Sequence, residues 1–268
     1  MLKIVYSVTI YLLLLVARFL ALFHVKLQKA FALRRGLKSR MQEIYHRAQG
    51  KPLWVFHGAS VGELEQSYAV IEPLRRLWRE QGEDEPFVLL TFFSPSAYTR
   101  AQKLCQGEDF MAFMPLPWDT PAWAQRFAKL LSPKFFVSAS YDIWPNLVWS
   151  LQQNKTKLFL VSALLASSSG RIKGVAFLFY RRLYSYLDKV YPVDDDTAER
   201  FHRLLPHKRD KIKVMGDTRC DAIEARLKDG AGEESAELQA LDNWLAKKAQ
   251  TGAVFLAGST YSPCDEVL

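Results

Sequence analysis

Cysteine is scarce in this sequence, and its few copies lie far apart. The 268 residues contain three cysteines, Cys105, Cys220 and Cys264. No two of them have the spacing of a metal-binding pair, and three thiols cannot form an even disulfide framework. No other cluster of metal ligands is present in the sequence. The pattern therefore predicts reduced thiols in a cytoplasmic compartment and no metal site.

Acidic residues are also in short supply relative to basic ones. The chain has 36 Lys and Arg against 28 Asp and Glu, a net charge of +8. This excess favours an anionic partner, such as a membrane surface, a nucleotide, a phosphorylated lipid or a nucleic acid. Because 49% of the residues are apolar and 13% aromatic, the chain can bury a core in one large domain or two small ones.

Charge is absent from a long apolar run near the N-terminus, residues 4–17, which Arg18 interrupts before the run resumes to Val25. Only Lys3 precedes it, and no small-residue cleavage site follows, which argues against a cleaved signal peptide. The run is short of the ~20 residues of a spanning helix. It either crosses the membrane with Arg18 reaching the interface, lies in the interface, or is a buried core helix.

Six cations follow the run and predict a cytoplasmic location for the rest of the chain. They are Lys26, Lys29, Arg34, Arg35, Lys38 and Arg40.

From residue 50 onward, predicted strands and helices alternate, which indicates a parallel sheet covered on both faces. The strands are "PLWVFHG", "PFVLLTFF", "FMAFMPLP", "KFFVSAS", "KLFLVSALL", "KVYPV" and "IKVMG", and one helix is predicted over residues 63–80. Ligands of such folds bind outside the carboxyl ends of the strands. The polar residues expected at that edge are Glu63, Ser94, Ser140, Asp142, Ser162, Asp194 and Asp217.

The composition changes near the C-terminus, and we find no internal repeats or low-complexity segments. Residues 227–250 are polar and helix-rich, and "GAVFLAGSTYSPCDEVL" then begins a strand that cannot bury itself alone. We expect a membrane-anchor helix and basic linker over 1–48, a Rossmann-like domain over 49–224, an interdomain connection over 225–251, and the start of a truncated second domain over 252–268.

The segment "HGASVGE", residues 57–63, allows three interpretations. It matches a nucleophile elbow that would make Ser60 the nucleophile of a hydrolase. Ser60 and Glu63 also have the spacing of a helix capping box. Alternatively, Glu63 is a catalytic base at a glycine-rich turn. The elbow is disfavoured because nothing upstream can supply an oxyanion loop, and the histidines downstream, His202 and His207, belong to a polar helix or follow it.

Six motifs together resemble the Kdo transferases of lipid A synthesis, which move 3-deoxy-manno-octulosonate (Kdo) from CMP-Kdo onto a lipid A precursor. "HGASVGE" resembles the family's H-x-A-S-V-G-E, and "DIWPNL" resembles E-[LF]-W-P-N-L. "TFFSPSAY", "PLPWDTP", "MGDTRCD" and "AGSTYSPCDE" resemble four further family motifs, in the same order. The combination is specific, although each motif alone is weak.

The resemblance implies a GT-B-like α/β fold, in which the N-terminal Rossmann-like domain carries a membrane-anchoring helix and the C-terminal one is truncated here. Glu63 would be the base that deprotonates the 6′-hydroxyl of the acceptor. Asp142 stands in the place of a functional glutamate, and Arg219 would be the basic residue near the reaction. The substrate contacts would be Ser60, Gly62, Ser94, Ser96, Asn146, Gly258, Ser259 and Thr260.

The implied reaction is an inverting, metal-independent transfer with CMP-Kdo as donor and no further cofactor. The implied partners are the lipid A precursor (lipid IVA) and the anionic cytoplasmic face of the inner membrane, with no nucleic acid. The alternative function is that of a membrane-anchored module that binds the precursor without catalysis, and the third possible function is that of a hydrolase that uses Ser60. Because the chain ends where the donor domain begins, we expect it to be a truncated product or fragment that is inactive alone.

Three departures from the family pattern bear on the site. Ser140-Tyr141-Asp142 replaces an acid-Thr-acid sequence, so one acid is lost and the other is shortened. Leu164 stands where many members have arginine, and two residues, Tyr261 and Ser262, replace the usual single residue before proline. The first departure motivates the non-catalytic alternative.

Overall fold

The computed structural model describes residues 2–229, 236–250 and 252, within which six parallel strands form one sheet. The strand order is β3-β2-β1-β4-β5-β6. The strands are β1 Leu53–Gly58, β2 Phe87–Phe92, β3 Met111–Pro115, β4 Phe135–Ala139, β5 Lys157–Ala163 and β6 Lys189–Pro192. This confirms the predicted parallel sheet. The strand order reverses between β1 and β4, where a doubly wound sheet opens a crevice for ligands.

Twelve α-helices lie within the described residues. They are α1 Leu2–Leu20, α2 Val25–Leu33, α3 Leu37–Ala48, α4 Val61–Tyr68, α5 Ile71–Glu80, α6 Tyr98–Cys105, α7 Pro121–Leu131, α8 Pro145–Gln153, α9 Gly174–Tyr184, α10 Asp195–Leu204, α11 Thr218–Asp229 and α12 Ala236–Ala249. The chain divides into two compact units, residues 1–222 and 223–268. The predicted start of a second domain, from residue 253 onward, lies outside the described residues.

The sheet is covered on both faces because its strands are apolar on both sides. Every residue of β1 and β2 is buried. Side chains alternate along a strand, so Leu53 and Val55 enter the core beneath α3, α7, α8, α9 and α10. Trp54 and Phe56 enter the opposite core, beneath α4, α5 and α6. Each large side chain buried in this way contributes about 1.5–3 kcal/mol to stability.

The helix predicted over residues 63–80 is two helices, α4 and α5, which a turn at residues 69–70 separates. Pro73 explains the break, since it has no N–H for the carbonyl of Ala69 and its ring would clash with that carbonyl in a continuous helix. The two helices still bury apolar residues against the same core: Leu64 and Ile71 are part of it, and Trp78 packs against it.

The strand predicted over "IKVMG" is wrong, because only one parallel bridge, Val190 to Ile212, forms there. The segment runs beside β6, to which the N–H groups of Lys213 and Met215 donate, and Val214 and Met215 are exposed. Gly216, with a φ of +84°, then turns the chain toward α11.

The N-terminal 48 residues are helical throughout most of their length. Helix α1 is long and apolar enough to cross a membrane, and no described residue of it is buried within the protein, which argues against the core-helix interpretation. The segment predicted as a basic linker contains α2 and α3. Helix α3 buries Leu37, Met41, Ile44 and Ala48 in the core, so it belongs to the folded domain.

Candidate functional site

The first turn of α4 lies directly against the end of β1, and Gly58 makes this close approach possible. A Cβ atom on Gly58 would lie 2.2 Å from the backbone nitrogen of Leu64 and 2.3 Å from the carbonyl carbon of Glu63. Both contacts are with backbone and cannot be relieved by a side-chain rotation. By contrast, a Cβ on Gly62 would meet nothing within 4 Å, so the exposed side of this turn is open.

Glu63 and Ser60 form the predicted capping box at the start of α4. The Glu63 backbone N–H donates to Ser60 Oγ at 3.4 Å. Glu63 Oε2 accepts from the Ser60 backbone N–H at 2.9 Å and from its hydroxyl at 3.0 Å. Within the described part of the chain, Glu63 Oε1 has no hydrogen-bond partner. One carboxylate oxygen is therefore held by the cap, and the other is left for a further interaction.

Ser60 lacks the features of a nucleophile elbow. Its φ of −116° is ordinary extended backbone, whereas the elbow places its serine on a strained turn. Its hydroxyl donates to the Glu63 carboxylate and not to an imidazole. Because the nearby His57 is completely buried and bonded elsewhere, the geometry does not support the Ser60 hydrolase.

His57, near the end of β1, lies between Thr91 of β2 and Trp144, which follows β4. Its Nδ1 lies 3.2 Å from the carbonyl oxygen of Thr91, and Trp144 Nε1 donates to its Nε2 at 3.1 Å. Nδ1 also lies 3.0 Å from Thr91 Oγ1, so both ring nitrogens have polar neighbours. Asp142 Oδ2 lies 3.3 Å from the same Nε2 and is buried without a hydrogen bond to any described residue. Asp142 therefore lies directly beside His57 at the crevice.

A second polar network joins the end of β4 and helix α4 to the start of α11, where Arg219 lies. Ser140 Oγ donates to Gln66 Oε1 at 2.8 Å, and Gln66 Nε2 donates to Asp217 Oδ1 at 2.8 Å. Asp217 also accepts from the backbone and side chain of Arg219. Although partial burial acts in the opposite direction, the bonds from Arg219 and Gln66 lower the pKa of Asp217. Arg219 is therefore held by its neighbour and remains exposed.

Thr218 fastens the same loop to β5. Its backbone N–H donates to Ser162 Oγ at 3.0 Å, and its hydroxyl donates to the Gln66 carbonyl at 2.9 Å. Ser140 and Ser162 both adopt left-handed backbone conformations, with φ of +59° and +47°. Non-glycine residues rarely take this conformation and often do so at functional sites. The bend at each strand end lets the serine hydroxyl reach the network.

The sequence did not reveal Gln66 as a member of this site. It is buried, carries no charge and belongs to no motif, but it bonds to two segments that meet at the sheet edge, the end of β4 at Ser140 and the start of α11 at Asp217 and Thr218. The available signal was its spacing: Gln66 follows Glu63 by three residues, so both lie on one side of α4.

Asn146 lies inside the protein, at the start of α8. Its side-chain amide donates to the Asp119 carbonyl at 2.7 Å, and its Oδ1 accepts from Ser7 of α1 at 2.9 Å. Asp119 in turn accepts from the backbone N–H groups of Asn146 and Leu147 and from the Tyr6 hydroxyl. The predicted contact between Asn146 and substrate stays a prediction, and in this structure its side chain joins α1 to the sheet edge.

The remaining predicted substrate contacts are distributed along the edge. Ser94 and Ser96 follow β2, where their hydroxyls bond to each other at 2.8 Å, and the Ser94 N–H donates to the Ala59 carbonyl. This bond places them beside the turn that precedes α4. Gly258, Ser259 and Thr260 lie outside the described residues.

An open recess of about 510 Å³ lies beyond the ends of β5 and β6. Leu164, which replaces the arginine of many family members, is part of its wall. Two other arginines line it: Arg171 donates to the Tyr141 carbonyl, and Arg200 donates to the Leu165 carbonyl. Asp194 is the acidic residue of the recess, and its hydrogen bonds with Thr197 lower its pKa. Two cations and one anion give this recess a net positive charge.

Comparison with known proteins agrees with this geometry. Residues 35–222 match the family model described as 3-deoxy-D-manno-octulosonic-acid transferase (kdotransferase). The 3-deoxy-D-manno-octulosonic acid transferase of Chlamydia muridarum is 29% identical over 217 residues, which are 76% of this chain and 46% of the relative. That of Haemophilus influenzae is 22% identical over 79% of this chain and 46% of the relative. The chain therefore spans about half the length of the curated relatives it matches.

Solved structures with a similar arrangement share little sequence with this chain. The UDP-GlcNAc 2-epimerase of Neisseria meningitidis, solved with UDP-GlcNAc, aligns with a TM-score of 0.48 at 13% identity, over 74% of this chain and 53% of the epimerase. The S. aureus MnaA–UDP structure aligns with a TM-score of 0.49 at 13% identity, over 71% and 51%. The family model, by contrast, covers most of the chain, including the residues of the capping box and of the Gln66 network. On this basis, the chain belongs to the Kdo transferase family.

Proposed function

We propose that this chain forms the acceptor-binding part of a membrane-associated glycosyltransferase of lipopolysaccharide synthesis. The donor would be CMP-Kdo, the acceptor hydroxyl the 6′-hydroxyl of the lipid A precursor lipid IVA, and the transfer inverting, without a cofactor or a metal. Its location would be the cytoplasmic face of the inner membrane. Family membership supports Kdo transfer, and the basic charge and apolar α1 support a lipid acceptor at a membrane.

Glu63 is the residue we propose as general base, and its carboxylate geometry carries the proposal. The capping box holds Oε2, and Oε1 has no partner among the described residues. The positive end of the α4 dipole favours the ionised carboxylate that a base requires. Oε1 would take the proton of the acceptor hydroxyl as that oxygen attacks the anomeric carbon of Kdo and the bond to CMP breaks. Such a base contributes about 10²–10⁴-fold to the rate.

Asp142 and Arg219 have supporting roles in this proposal. Asp142, held beside His57, would orient the acceptor or stabilise positive charge that develops on the sugar. Arg219, held by Asp217, would stabilise negative charge on the donor as CMP departs. The recess lined by Arg171 and Arg200 is the proposed position of an anionic part of the acceptor.

Transfer of Kdo from CMP-Kdo to a tetraacylated lipid A precursor is the experiment that tests this function. Membranes would contain the protein expressed from its full open reading frame, either unchanged or with Glu63→Ala or Ser60→Ala. We expect Glu63→Ala to abolish transfer and Ser60→Ala, which only weakens the cap, to retain most of it. A chelator should leave the rate unchanged. Precursor binding without transfer in the unchanged protein would instead favour the non-catalytic module.

A further inference from the structure

Helix α1 lies along the surface of the domain. Its partly covered residues recur every three to four positions, namely Tyr6, Ser7, Ile10, Leu14 and Ala17, and the buried Ala21 follows just after the helix. At about 1.5 Å per residue, this inner face runs for about 22 Å from Tyr6 to Ala21. Ring contacts lie toward both ends of it, where Tyr6 packs against Trp149 and Phe179 and Arg18 lies over Phe31.

Two hydrogen bonds attach the inner face to buried polar groups. The Tyr6 hydroxyl donates to Asp119 Oδ2 at 2.7 Å, and Ser7 Oγ lies 2.9 Å from Asn146 Oδ1, sharing its proton with the Lys3 carbonyl. Only 5% of Asp119 and 1% of Asn146 are exposed. If α1 moved away, the Asp119 carboxylate and the Asn146 amide would lose these partners at a cost.

Both cations of α1 also turn toward the domain. Lys3 Nζ lies 5.3 Å from the centre of the Trp149 ring, and the Arg18 guanidinium lies 5.5 Å from the centre of the Phe31 ring. These contacts are at opposite ends of the helix. The charged groups of α1 are thus held away from its outer face.

The outer face of α1 and the turn after it form one apolar surface. Fourteen large apolar residues between positions 2 and 25 are 44–75% exposed. They are Leu2, Ile4, Val5, Val8, Tyr11, Leu12, Leu13, Leu15, Val16, Phe19, Leu20, Leu22, Phe23 and Val25. A contiguous apolar surface of this kind on a soluble protein marks an interaction site.

Exposed cations follow this apolar surface along the chain, and they indicate its partner. Lys26, Lys29, Arg35 and Lys38 follow directly in sequence and are exposed. Apolar side chains flanked by exposed cations are typical of a helix that lies in the interface of an anionic bilayer.

We propose that α1 lies in the plane of an anionic phospholipid bilayer, with its outer face among the acyl chains and its inner face on the domain, and does not cross the membrane. Crossing would place Tyr6, Ser7 and Arg18 in hydrocarbon and break the bonds to Asp119 and Asn146. Asp119 lies in the loop after β3 and Asn146 in the first turn of α8, which follows β4, so this placement holds the ligand edge of the sheet at the bilayer surface. The inference rests on the membrane association in the proposed function.

The depth of three positions along the outer face distinguishes the two arrangements. Ile4→Cys, Leu12→Cys and Phe19→Cys would each carry a fluorophore in a background with Cys105, Cys220 and Cys264 changed to Ser. The full chain would be bound to phosphatidylethanolamine–phosphatidylglycerol vesicles whose lipids are brominated at defined acyl positions. An in-plane helix predicts quenching at one shared depth for all three. Leu77→Cys, exposed on α5, is the control that should not be quenched.

Other results would overturn the inference. Leu12 quenched near the bilayer centre, with Ile4 and Phe19 near opposite surfaces, would show a spanning helix. Absence of quenching together with a dimer would show that a second copy covers the surface. Absence of any vesicle binding would also remove the proposed membrane association. Loss of Kdo transfer with the shared depth retained would contradict the proposed activity and leave this inference standing.

The bond between Tyr6 and Asp119 gives a second test that does not depend on a label. Tyr6→Phe should raise amide hydrogen exchange in vesicle-bound α1 by about ten- to hundredfold, because a bond to a buried carboxylate is lost. Tyr11→Phe, which removes a hydroxyl from the outer face of the same helix, should change exchange by less than about twofold. Equal effects of the two variants would show that the inner face is not docked.

Discussion

Two groups of contacts meet at the ligand edge of the sheet, and they differ in how they hold it. The inner network consists of Ser140, Gln66, Asp217, Arg219, Ser162 and Thr218, which bond to one another among strand ends. The outer contacts are the two bonds from Tyr6 and Ser7 of α1 to Asp119 and Asn146. The inner network positions groups proposed for chemistry, whereas the outer contacts attach α1, the helix proposed to lie in the membrane.

The difference shows how a single edge serves two purposes. Inner-network residues are joined by polar bonds alone, so they set direction and spacing. The outer contacts combine two polar bonds with an apolar outer face of α1, so in the proposed arrangement they would link the edge to the bilayer. Trp144 links the crevice to the segment after α2. It donates to His57 and stacks on Phe93 with the ring centres 4.6 Å apart, and Phe93 contacts Arg34, the residue after α2.

The largest effect should come from Gly58, because α4, which carries Gln66 of the inner network, follows β1 directly at this residue. Gly58→Ala would place a methyl group 2.2 Å from the Leu64 backbone nitrogen, so α4 would have to move. We expect a loss of at least about 3 kcal/mol in the free energy of unfolding. Gly62→Ala, four residues later with open space around it, is the matched control and should change stability by less than about 1 kcal/mol. Urea denaturation measures both, and similar losses would refute the steric explanation.

The buried Asp119, which accepts one of the outer contacts, should make part of the protein's stability depend on pH. Burial raises its pKa from 3.8 to about 6, although bonds from Tyr6, Asn146 and Leu147 act in the opposite direction. The folded state therefore binds this proton more tightly than the unfolded state, and stability from this group falls as pH rises from about 4 to about 6. The fall should be roughly 3 kcal/mol, since one pKa unit corresponds to about 1.4 kcal/mol.

Urea denaturation across this pH range, with Asp119→Asn for comparison, measures the effect. The unchanged protein should lose stability relative to Asp119→Asn as pH increases through the window. Parallel curves would contradict the assignment. Tyr6→Phe should shift the window to higher pH, because the Tyr6 bond favours the ionised carboxylate.

Arg34 tests whether the segment after α1 is part of the domain or a linker. It is buried, donates to the carbonyls of Leu116, Ala30 and Phe93, and lies 4.1 Å from the centre of the Trp118 ring. Burial lowers its pKa to about 9, so it stays charged at neutral pH. Lysine cannot reproduce this planar set of donors, and Arg34→Lys should cost about 2 kcal/mol.

Arg35→Lys is the control, since Arg35 is the exposed neighbour of Arg34. Its effect should stay within about 0.5 kcal/mol. If thermal unfolding showed the two variants to be equally stable, the contacts of Arg34 would not contribute measurably to the stability of the domain.

The inner network was more accessible to sequence reasoning than the outer contacts. Carboxyl ends of parallel strands share one edge, so the order of strands and helices along the chain is enough to place Ser140 and Ser162 together, whereas Asp217 follows a segment that forms one bridge and no strand. Gln66 was missed because it is neutral and belongs to no motif, and its spacing from Glu63 does not by itself mark a polar network. The docking of α1 was also beyond reach: the residues bonded by Tyr6 and Ser7 lie 113 and 139 positions away, and no strand order fixes them.

Pro73 and Ile212 mark two further limits of the sequence. Apolar spacing continued through Pro73 and indicated one helix, because periodicity records the buried face and not the backbone bond that proline removes. The apolar letters around Ile212 indicated a strand, but a segment at the open edge of a sheet can stop after one bridge. Leu164 was noted only as a departure, whereas its place in the wall of the recess depends on the ends of β5 and β6.

Gln66 gives the smallest stability effect and the sharpest test of the inner network. Gln66→Met keeps the side-chain volume but removes the bonds to Ser140 and Asp217. We expect a loss of about 1–2 kcal/mol in the free energy of unfolding, which Gln153→Met, on the exposed end of α8, should not reproduce. Because Arg219 would lose its support while Glu63 keeps its cap, kcat for Kdo transfer should fall about ten- to hundredfold with KM for the acceptor nearly unchanged. An unaltered kcat with the predicted stability loss would mean that the network supports the fold alone and that Arg219 acts without it.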